Sequence, residues 1–289
     1  MGRAGAPAGA RTARRADGGD AGRRAERGGV RVRAPGAARR GVVTAPVFVA
    51  DSLAGAATGA RIALEGPEGR HAVSVKRLRA GEAVILTDGA GTGVSGTVAA
   101  VEGKDRLLVE VDGVRHEAAP SPRITVVQAL PKGDRGEVAV ETMTETGVDA
   151  IVPWTAARCI TQWKGERGQK ALGKWRSTAR EAGKQSRRLI FPEVADAMTT
   201  KEVARLLADA DLAAVLHEEG SDPLATAQLP HEGHIVLVVG PEGGVSPEEL
   251  AAFAAAGGRP YRLGPSVLRT STAGTAAAAL LLGRTGRWG

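Results

Sequence analysis

The chain has 289 residues, of which 43% are hydrophobic, 25% are charged and 3% are aromatic, and it contains one cysteine. This length is sufficient for two domains with buried cores, and a single cysteine excludes an intramolecular disulfide and a cysteine-rich zinc site. The longest apolar run, residues 276–282, is too short to cross a bilayer, so we expect a soluble, cytoplasmic protein in which Cys159 is a buried, inert thiol.

The positive charge of the chain lies in its N-terminal segment, residues 1–43. This segment has eleven arginines against three acidic residues, a net of +8 in a chain whose total is +7, so residues 44–289 have a net charge of −1. Because it has almost no large apolar residue, we predict that it is disordered. Its role stays open between a solvated tail without function, an RNA-binding arm and a segment upstream of a true start at Val43. It lacks the features of signal and transit peptides.

Residues 44–118 are predicted to form a small β-barrel. Short apolar runs at residues 83–87, 94–101 and 107–111 are separated by Gly-rich turns such as Asp88-Gly89, a pattern that is typical of β-hairpins. Residues 91–96 match the G-x-G-x-x-G pattern of dinucleotide sites, but strand-like residues follow where such a site requires a helix. We therefore interpret these glycines as part of the β-domain.

Residues 119–289 are predicted to form an α/β domain, which begins in a Pro- and Ala-rich linker at residues 118–122. Predicted strands alternate with predicted helices: strands at 124–130, 150–152, 212–216 and 235–239, and helices at 137–146, in the basic stretch ending at Arg188, and at 200–210. This alternation indicates a mostly parallel sheet covered by helices. Ligands should then bind at the carboxyl ends of its strands.

The first candidate ligand loop is residues 240–244, Gly-Pro-Glu-Gly-Gly, which follows the apolar run 235–239. Glycines allow the backbone to approach a ligand closely. After the loop, Ser246, Pro247 and Glu249 predict a helix start with a capping box. The Lys and Ser/Thr of a phosphate loop are absent, which argues against nucleoside triphosphate binding.

The second candidate loop, residues 263–273, again joins a short predicted strand, 261–263, to a predicted helix, 273–282. Thr270, Ser271 and Thr272 are each suitable N-cap residues. Taken alone, either loop is compatible with an ordinary tight turn.

Together the two loops resemble those of the bacterial 16S ribosomal RNA uridine N3-methyltransferases, which belong to the knotted SPOUT methyltransferases. The resemblance rests on residues 240–244, Ser246, Glu249, Leu263-Gly264, Leu268-Arg269-Thr270 and Thr272-Ala273. It extends over residues 46–283 through His71, Arg77-Leu78, Asp88-Gly89, Lys132, Thr144-Glu145, Gly147-Val148, Arg158, Glu181-Ala182, Gln185-Ser186, Arg188 and Pro192.

The resemblance implies a PUA-like β-barrel that helps to bind RNA, followed by a SPOUT domain whose C-terminal segment passes through a trefoil knot. It also implies a homodimer that binds S-adenosylmethionine without a metal ion and acts on 16S ribosomal RNA in the small subunit. The implied cofactor-binding residues are Leu216, Val239, Gly240, Pro241, Glu242, Gly243, Gly244, Leu263, Gly264, Leu268, Arg269, Thr270, Ser271 and Ala273. Many relatives have Glu where this chain has Ser271, so the identity of the proton acceptor stays open.

Methylation of uracil N3 requires alignment of the reacting atoms and loss of the imide proton. A guanidinium beside the uracil carbonyls would favour the anion, and Arg269 and Arg188 are the candidates for this role. Glu145 and Glu181 are candidate proton acceptors or arginine-positioning groups. The alternative for all four residues is a surface ion pair without a catalytic role.

Residues 158–188 form a basic segment with ten Lys or Arg against two Glu, a local net of +8. Trp154, Trp163, Trp175 and Phe191 lie in or beside it, and unpaired RNA is held by phosphate contacts and stacking on aromatics. The spacing of Trp175 also fits core packing. The predicted RNA-binding residues are His71, Arg77, Lys132, Arg158, Lys170, Lys174, Lys184, Gln185 and Arg188.

Two other functions stay open from the sequence. One is a knotted ribose 2′-O-methyltransferase, which would share the first loop but carry an Asn-containing Ser motif in the second. The other is a non-catalytic RNA-binding protein of ribosome assembly. His217, His231 and His234 lack the flanking acid and helix of a zinc hydrolase, so no metal site is predicted.

Overall fold

The computed structural model describes residues 45–289 of the chain. The predicted disordered tail and the alternative start at Val43 lie outside the described residues. In the part that is described, no helix is long and apolar enough to cross a membrane.

A five-stranded sheet forms the N-terminal part of the described chain, with strand order β1-β3-β4-β5-β2. Its strands are β1 (Val47–Val49), β2 (Arg61–Leu64), β3 (Ala83–Thr87), β4 (Thr92–Glu102) and β5 (Arg106–His116). Strands β1 and β3 are parallel and the other pairs are antiparallel. Helix α1 (Gly66–Arg70) continues into a π-helical turn (His71–Val75). The predicted hairpins are confirmed.

The glycines of the G-x-G-x-x-G pattern lie at and inside strand β4, as their β-like neighbours predicted. Side chains of other elements occupy the space beside them. A Cβ on Gly93 would meet Leu189, and one on Gly96 would meet Val109. These glycines therefore permit close packing within the β-domain and between domains.

The second sheet has seven parallel strands in the order β10-β12-β9-β11-β6-β7-β8. Its strands are β6 (Arg123–Ala129), β7 (Ala150–Trp154), β8 (Glu193–Val194), β9 (Leu212–Leu216), β10 (Asp222–Pro223), β11 (His234–Val239) and β12 (Arg259–Arg262). A short 3-10 helix spans Leu224–Thr226. The parallel α/β architecture expected from the alternating pattern is confirmed.

Helices cover both faces of this sheet. They are α2 (Arg135–Thr146), α3 (Gly165–Gln185), α4 (Thr200–Ala208), α5 (Pro247–Ala255) and α6 (Thr270–Arg284). Buried residues of α2, α3 and α6 share one core cluster, and those of α4 and α5 share the other. Neighbouring strand residues alternate between the clusters, with Val126 in the first and Val127 in the second.

Helices α2 and α3 run in the same direction, from the carboxyl edge of the sheet to its amino edge. This direction decides which charged side chains lie near each edge. At the carboxyl edge, the Lys174 ammonium lies 2.9 Å from the Glu137 carboxylate near the start of α2. At the amino edge, Arg188 Nη1 donates to the carbonyl oxygen of Thr144 at the end of α2. The C-terminal half of α3 therefore points away from the carboxyl ends of the strands.

The segment after α3 joins the two domains. Phe191 N donates to Gly89 O at 2.8 Å, and Gly91 N donates to Leu189 O at 2.9 Å. Beside these bonds, Lys184 Nζ lies 2.8 Å from Glu68 Oε1 of α1. The β-domain is thus tied to the α/β domain by backbone pairing and by a buried ion pair.

Candidate active site

A cleft of about 580 Å³ opens at the carboxyl ends of β9, β11 and β12, a size typical of small-molecule sites. Three groups of residues line most of it. They are Leu216 to Glu218 after β9, Val239 to Val245 without Gly243 after β11, and Tyr261 to Thr270 at the end of β12. Ala273 of α6 and Arg135 of α2 complete the lining.

The first loop has the local structure that its residues predicted. Gly244 adopts a φ of +74°, and its N–H donates to Pro241 O at 2.9 Å, which closes a tight turn. Helix α5 then begins with Ser246 as N-cap, and both reciprocal hydrogen bonds of the capping box with Glu249 are formed. This rigid helix start fixes where the loop ends.

The two candidate loops meet at their bases. Thr270, the first residue of α6, donates from Oγ1 to the carbonyl oxygen of Gly240 at 3.1 Å. Because both residues line the same cleft, this bond joins the two loops into one site. The sequence-based expectation of a shared site is consistent with this geometry.

Twelve of the fourteen predicted cofactor residues line the cleft, and Gly243 and Ser271 do not. A Cβ on Gly243 would lie 3.2 Å from the Cβ of Arg158, so this glycine faces a neighbouring loop. Ser271 is buried in the first turn of α6. The cofactor-binding roles of Gly243 and Ser271 stay predictions.

Sequence reasoning missed several lining residues. They are Arg135, His217, Glu218, Val245, Tyr261, Arg262, Pro265, Ser266 and Val267. His217 and Glu218 directly follow β9, so a rule that includes every loop at a carboxyl strand end would have found them. Arg135 carries no such local signal, because only the packing of α2 brings it to the cleft.

Of the four predicted catalytic residues, Arg269 alone lines the cleft, with its side chain exposed. Arg188 lies at the amino edge of the sheet, where Nη1 donates to Thr144 O at 2.9 Å and to Val148 O at 2.7 Å. Burial lowers the pKa of Arg188, and the nearby Asp149 carboxylate opposes that effect. This guanidinium therefore caps the end of α2 and does not reach the cleft of its own chain, and the catalytic and RNA-binding roles of Arg188 stay predictions.

Glu145 and Glu181 are also placed away from the cleft. Glu145 is exposed in the last turn of α2, ten residues beyond the cleft residue Arg135, which corresponds to about 15 Å of helix. Glu181 Oε1 lies 3.3 Å from Lys184 Nζ in the distal half of α3. Neither carboxylate can accept a proton in the cleft of its own chain.

Some of the predicted RNA-binding residues lie near the carboxyl edge of the sheet, beside the cleft, and others lie far from it. Lys132 and Arg158 lie on loops at the carboxyl edge, where Lys132 N donates to Glu242 Oε1 at 3.3 Å and Arg158 Nη1 donates to Gly243 O at 3.0 Å. Lys170 is exposed on the first half of α3. Gln185 is exposed at the far end of α3.

The predicted RNA-binding role of Lys184 does not fit its buried position. Its side chain is only 4% exposed and is paired with Glu68 and Glu181, so it cannot contact phosphate in this structure. Lys174 is exposed but paired with Glu137. In the β-domain, His71 packs edge-on against Phe48, whereas Arg77 is exposed with a φ of 56°.

The aromatic residues near the basic segment are mostly structural. Trp154 and Trp175 are buried, and Trp163 packs edge-to-face on Trp175 with ring centroids 5.0 Å apart. Phe191 fills the space left by Gly89 and Gly183 at the domain junction. Base stacking on this set is therefore not supported. Cys159 is half-buried, and burial raises the pKa of its thiol, as expected for an inert cysteine.

Comparison with known proteins identifies both domains. A family profile described as an RNA methyltransferase domain matches residues 118–282, and one described as an RNA methyltransferase PUA domain matches residues 64–112. Ribosomal RNA small subunit methyltransferase E of Mycobacterium bovis is 41% identical over 252 residues, which cover 85% of this chain and 94% of that protein. The protein of the same name from Bacillus subtilis is 29% identical over 218 residues, covering 73% of this chain and 85% of that protein.

A solved structure supports the same assignment. The ribosomal RNA small subunit methyltransferase E of Neisseria gonorrhoeae, bound to S-adenosylmethionine, superposes with a TM-score of 0.73 at 28% identity, covering 83% of this chain and 98% of that one. The expected PUA-like domain and SPOUT-type α/β domain are thereby confirmed. The chain belongs to the RNA methyltransferase family, with the PUA domain of that family in its N-terminal half.

Proposed function

We propose that this protein transfers the methyl group of S-adenosylmethionine to N3 of a uracil in the 16S ribosomal RNA of the small subunit. The observation that carries the proposal is the cleft in which the loops at residues 240–245 and 261–270 meet. A relative that is 41% identical is named a small subunit ribosomal RNA methyltransferase, and a solved relative is bound to S-adenosylmethionine.

The residues of the cleft fit such a cofactor. Leu216, Val239 and Tyr261 offer apolar surface for an adenine ring, and the loop backbones offer amides and carbonyls for its edge. Helix α6 begins at the cleft, where its first N–H groups favour a carboxylate. Glu218 and Glu242 supply negative charge for an ammonium group. When bound, S-adenosylmethionine supplies an electrophilic methyl carbon on its sulfonium.

Side chains of the protein must bind the uracil and accept its N3 proton. We propose that Arg269, which lines the cleft, holds a uracil carbonyl and favours the imide anion, since an adjacent positive charge lowers the pKa of an acid. Glu218 and Glu242 are the carboxylates of the cleft lining. We propose one of them as the acceptor of the N3 proton, in place of Glu145 and Glu181.

The proposed RNA surface lies around this cleft. Arg135 lines the cleft, and Lys132 and Arg158 bond to its first loop. Lys164, the N-cap of α3, and Arg167 and Lys170 in the first half of this helix are exposed. Phosphate contacts from such residues would position the RNA, while the cleft would select the base. Gln185 and the β-domain residues His71 and Arg77 stay predictions as additional RNA contacts.

The proposal includes a cytoplasmic homodimer that requires no metal ion, as the family resemblance implies. Exposed apolar side chains support a second copy on the cleft side: Ile160, Val267 and Leu268 on its loops and Val138 at the start of α2. A subunit contact there would remove this apolar surface from water. The domain boundary near residue 118, between β5 and β6, also stays a prediction.

Methylation of small subunits from cells that lack this protein tests the proposal. The purified protein is incubated with S-adenosylmethionine, and the nucleosides of 16S RNA are identified by mass spectrometry. We expect 3-methyluridine. A 2′-O-methylated nucleoside would instead establish ribose methylation. Cofactor binding without a methylated product would support the non-catalytic assembly role.

A further inference from the structure

Glu249 is a buried carboxylate whose hydrogen bonds reach beyond its own helix. The residue is only 5% exposed. Its Oε2 accepts from Ser246 N at 3.0 Å, as a capping box requires. Its Oε1 accepts from Ala157 N at 2.8 Å and from Thr200 Oγ1 at 3.0 Å. One side chain therefore holds the starts of α5 and α4 and the loop after β7.

The loop after β7 in turn supports the first cofactor loop. Arg158 follows Ala157, and its Nη1 donates to Gly243 O at 3.0 Å. The stem of Arg158 also lies against Gly243, where an added Cβ would come within 3.2 Å of the Arg158 Cβ. The contacts therefore form a continuous path from Glu249 through Ala157 and Arg158 to Gly243.

Helix capping alone does not require this arrangement. The capping box of α4 has the same chemistry, with Thr199 as N-cap and Glu202 as its partner. Within residues 45–289, the hydrogen bonds of the Glu202 side chain all go to Thr199. Glu249 differs because its Oε1 accepts hydrogen bonds from outside its own helix, from Ala157 N and Thr200 Oγ1. Hydrogen bonds to a charged group in a buried position are stronger than those between neutral groups.

We infer that Glu249 is a positioning residue for cofactor binding, which holds the loop at residues 240–244 in its binding conformation through Ala157 and Arg158. This inference rests on the proposed function, since it assumes that the cleft binds S-adenosylmethionine. Glu249 does not line the cleft. Its effect on binding is therefore indirect.

The test compares Glu249→Gln with Glu202→Gln. In Glu249→Gln one carboxylate oxygen becomes an NH₂ group, so either Ser246 N or the donors at Ala157 and Thr200 lose their acceptor in any orientation of the amide. Both variants perturb a capping box, but only Glu249→Gln perturbs the cofactor loop. We expect the Kd for S-adenosylmethionine, measured by calorimetry, to rise about tenfold in Glu249→Gln, the effect of one hydrogen bond to a charged group. In Glu202→Gln it should stay within twofold.

Two further readouts separate positioning from simple loss of stability. With saturating S-adenosylmethionine, kcat of Glu249→Gln should stay within twofold of the unaltered enzyme while the KM for the cofactor rises. Amide hydrogen exchange without ligand should become faster at residues 155–160 and 240–246 in Glu249→Gln only. Equal cofactor affinity of the two folded variants, or unchanged exchange at residues 240–246, would overturn the inference.

Arg158→Ala keeps the inference testable if Glu249→Gln does not fold. This variant removes the bond to Gly243 without creating a buried unpaired group, and we expect a higher Kd and faster exchange at Gly243 and Gly244. Where Glu249→Gln does fold, the effects of the two substitutions on Kd should be less than additive in the double variant, because both residues lie on one path. Full additivity, or an unchanged Kd in Arg158→Ala, would contradict the path. If the unaltered protein does not bind S-adenosylmethionine, the proposed function fails, while the exchange experiment still tests the contacts.

Discussion

Thr270 Oγ1 donates a hydrogen bond to the carbonyl oxygen of Gly240 at 3.1 Å. This bond links the first residue of α6 to the residue that directly follows β11, across 30 positions of sequence. Thr270 is buried, so water does not readily replace the bond. The shape of the cleft depends on this link because each residue begins or ends one of its two loops.

Thr270→Val should weaken both the fold and the cofactor site. Valine keeps the shape of the side chain but leaves the Gly240 carbonyl without its donor, which should cost about 1–2 kcal/mol of unfolding free energy. We expect a lower affinity for S-adenosylmethionine in calorimetry and a lower Tm. Thr272→Val is the control, since Thr272 is exposed and its Oγ1 bonds only locally to Arg269 O. Equal behaviour of the two variants would argue against the link.

Replacing each of two glycines of α6 by alanine should have opposite effects on the free energy of unfolding. A Cβ on Gly274 would lie 2.8 Å from Met143 Sδ and 3.2 Å from Val126 Cγ1, so Gly274→Ala should destabilise the domain by about 1–3 kcal/mol. Gly283 has nothing within 4 Å of such a position, so Gly283→Ala should stabilise the helix by about 0.4–1 kcal/mol. Urea unfolding measures both values. A stable Gly274→Ala protein would show that α6 packs less closely on β6.

Breaking the ion pair between Lys184 and Glu68 should destabilise the domain junction. Lys184→Met removes the ammonium that lies 2.8 Å from Glu68 Oε1 and leaves this carboxylate only the more distant Arg180 at 3.9 Å. Loss of one member of a buried pair costs about 3 kcal/mol. Lys170→Met, at an exposed lysine of the same helix, should change unfolding free energy by less than about 0.5 kcal/mol. If Lys184→Met kept full stability but flattened the salt dependence of RNA binding, Lys184 would have to face RNA after all.

The exposed first half of α3 should supply phosphate contacts. Replacing Lys164, Arg167 and Lys170 by Gln should reduce the slope of log affinity against log salt by about 2–3 units if all three contact phosphate. Lys201→Gln, on a helix of the opposite face, should leave the slope unchanged. Deletion of residues 1–42 should change methylation little. The proposed phosphate-binding surface on α3 is wrong if deletion of residues 1–42 abolishes methylation while the triple variant keeps the salt dependence of the unaltered protein.

Stability should fall in mildly acidic solution because of His234. Burial, assisted by the charge of Arg123, lowers the pKa of this histidine from its ordinary value of 6.5, and its Nε2 is hydrogen-bonded to Thr125 Oγ1 at 2.8 Å. The unfolded chain therefore binds a proton at His234 more readily than the folded chain does. The contribution of neutral His234 to the free energy of unfolding is complete above about pH 6.5, the unfolded pKa, and is lost as pH falls through the lower pKa of the folded state. Chemical unfolding between pH 7.5 and 5 should show a shallower decline in His234→Gln than in the unaltered protein. His231→Gln, at an exposed histidine nearby, should decline like the unaltered protein.

The local elements and the residues of the two loops can be predicted from the amino-acid sequence. Strand β9 at Leu212–Leu216 and the capping box of Ser246 and Glu249 have the predicted positions, because hydrophobic runs and caps depend on neighbours in the chain. The residues that follow Gly91 and Gly93 likewise show that these glycines belong to the β-domain and not to a dinucleotide site. Family resemblance then identified the loops that meet at the cleft.

Which charged residues can reach that cleft depends on how the helices pack on the sheet. Arg188, Glu145 and Glu181 have suitable chemistry, but α2 and α3 place them at the amino edge of the sheet. Lys184 reads as part of a basic surface, yet α1 of the β-domain covers it with Glu68. Periodicity in the sequence shows which residues share a helix face. It does not show which edge of the sheet a helix end reaches or which residues bury a given side chain, because both depend on contacts between segments distant in sequence.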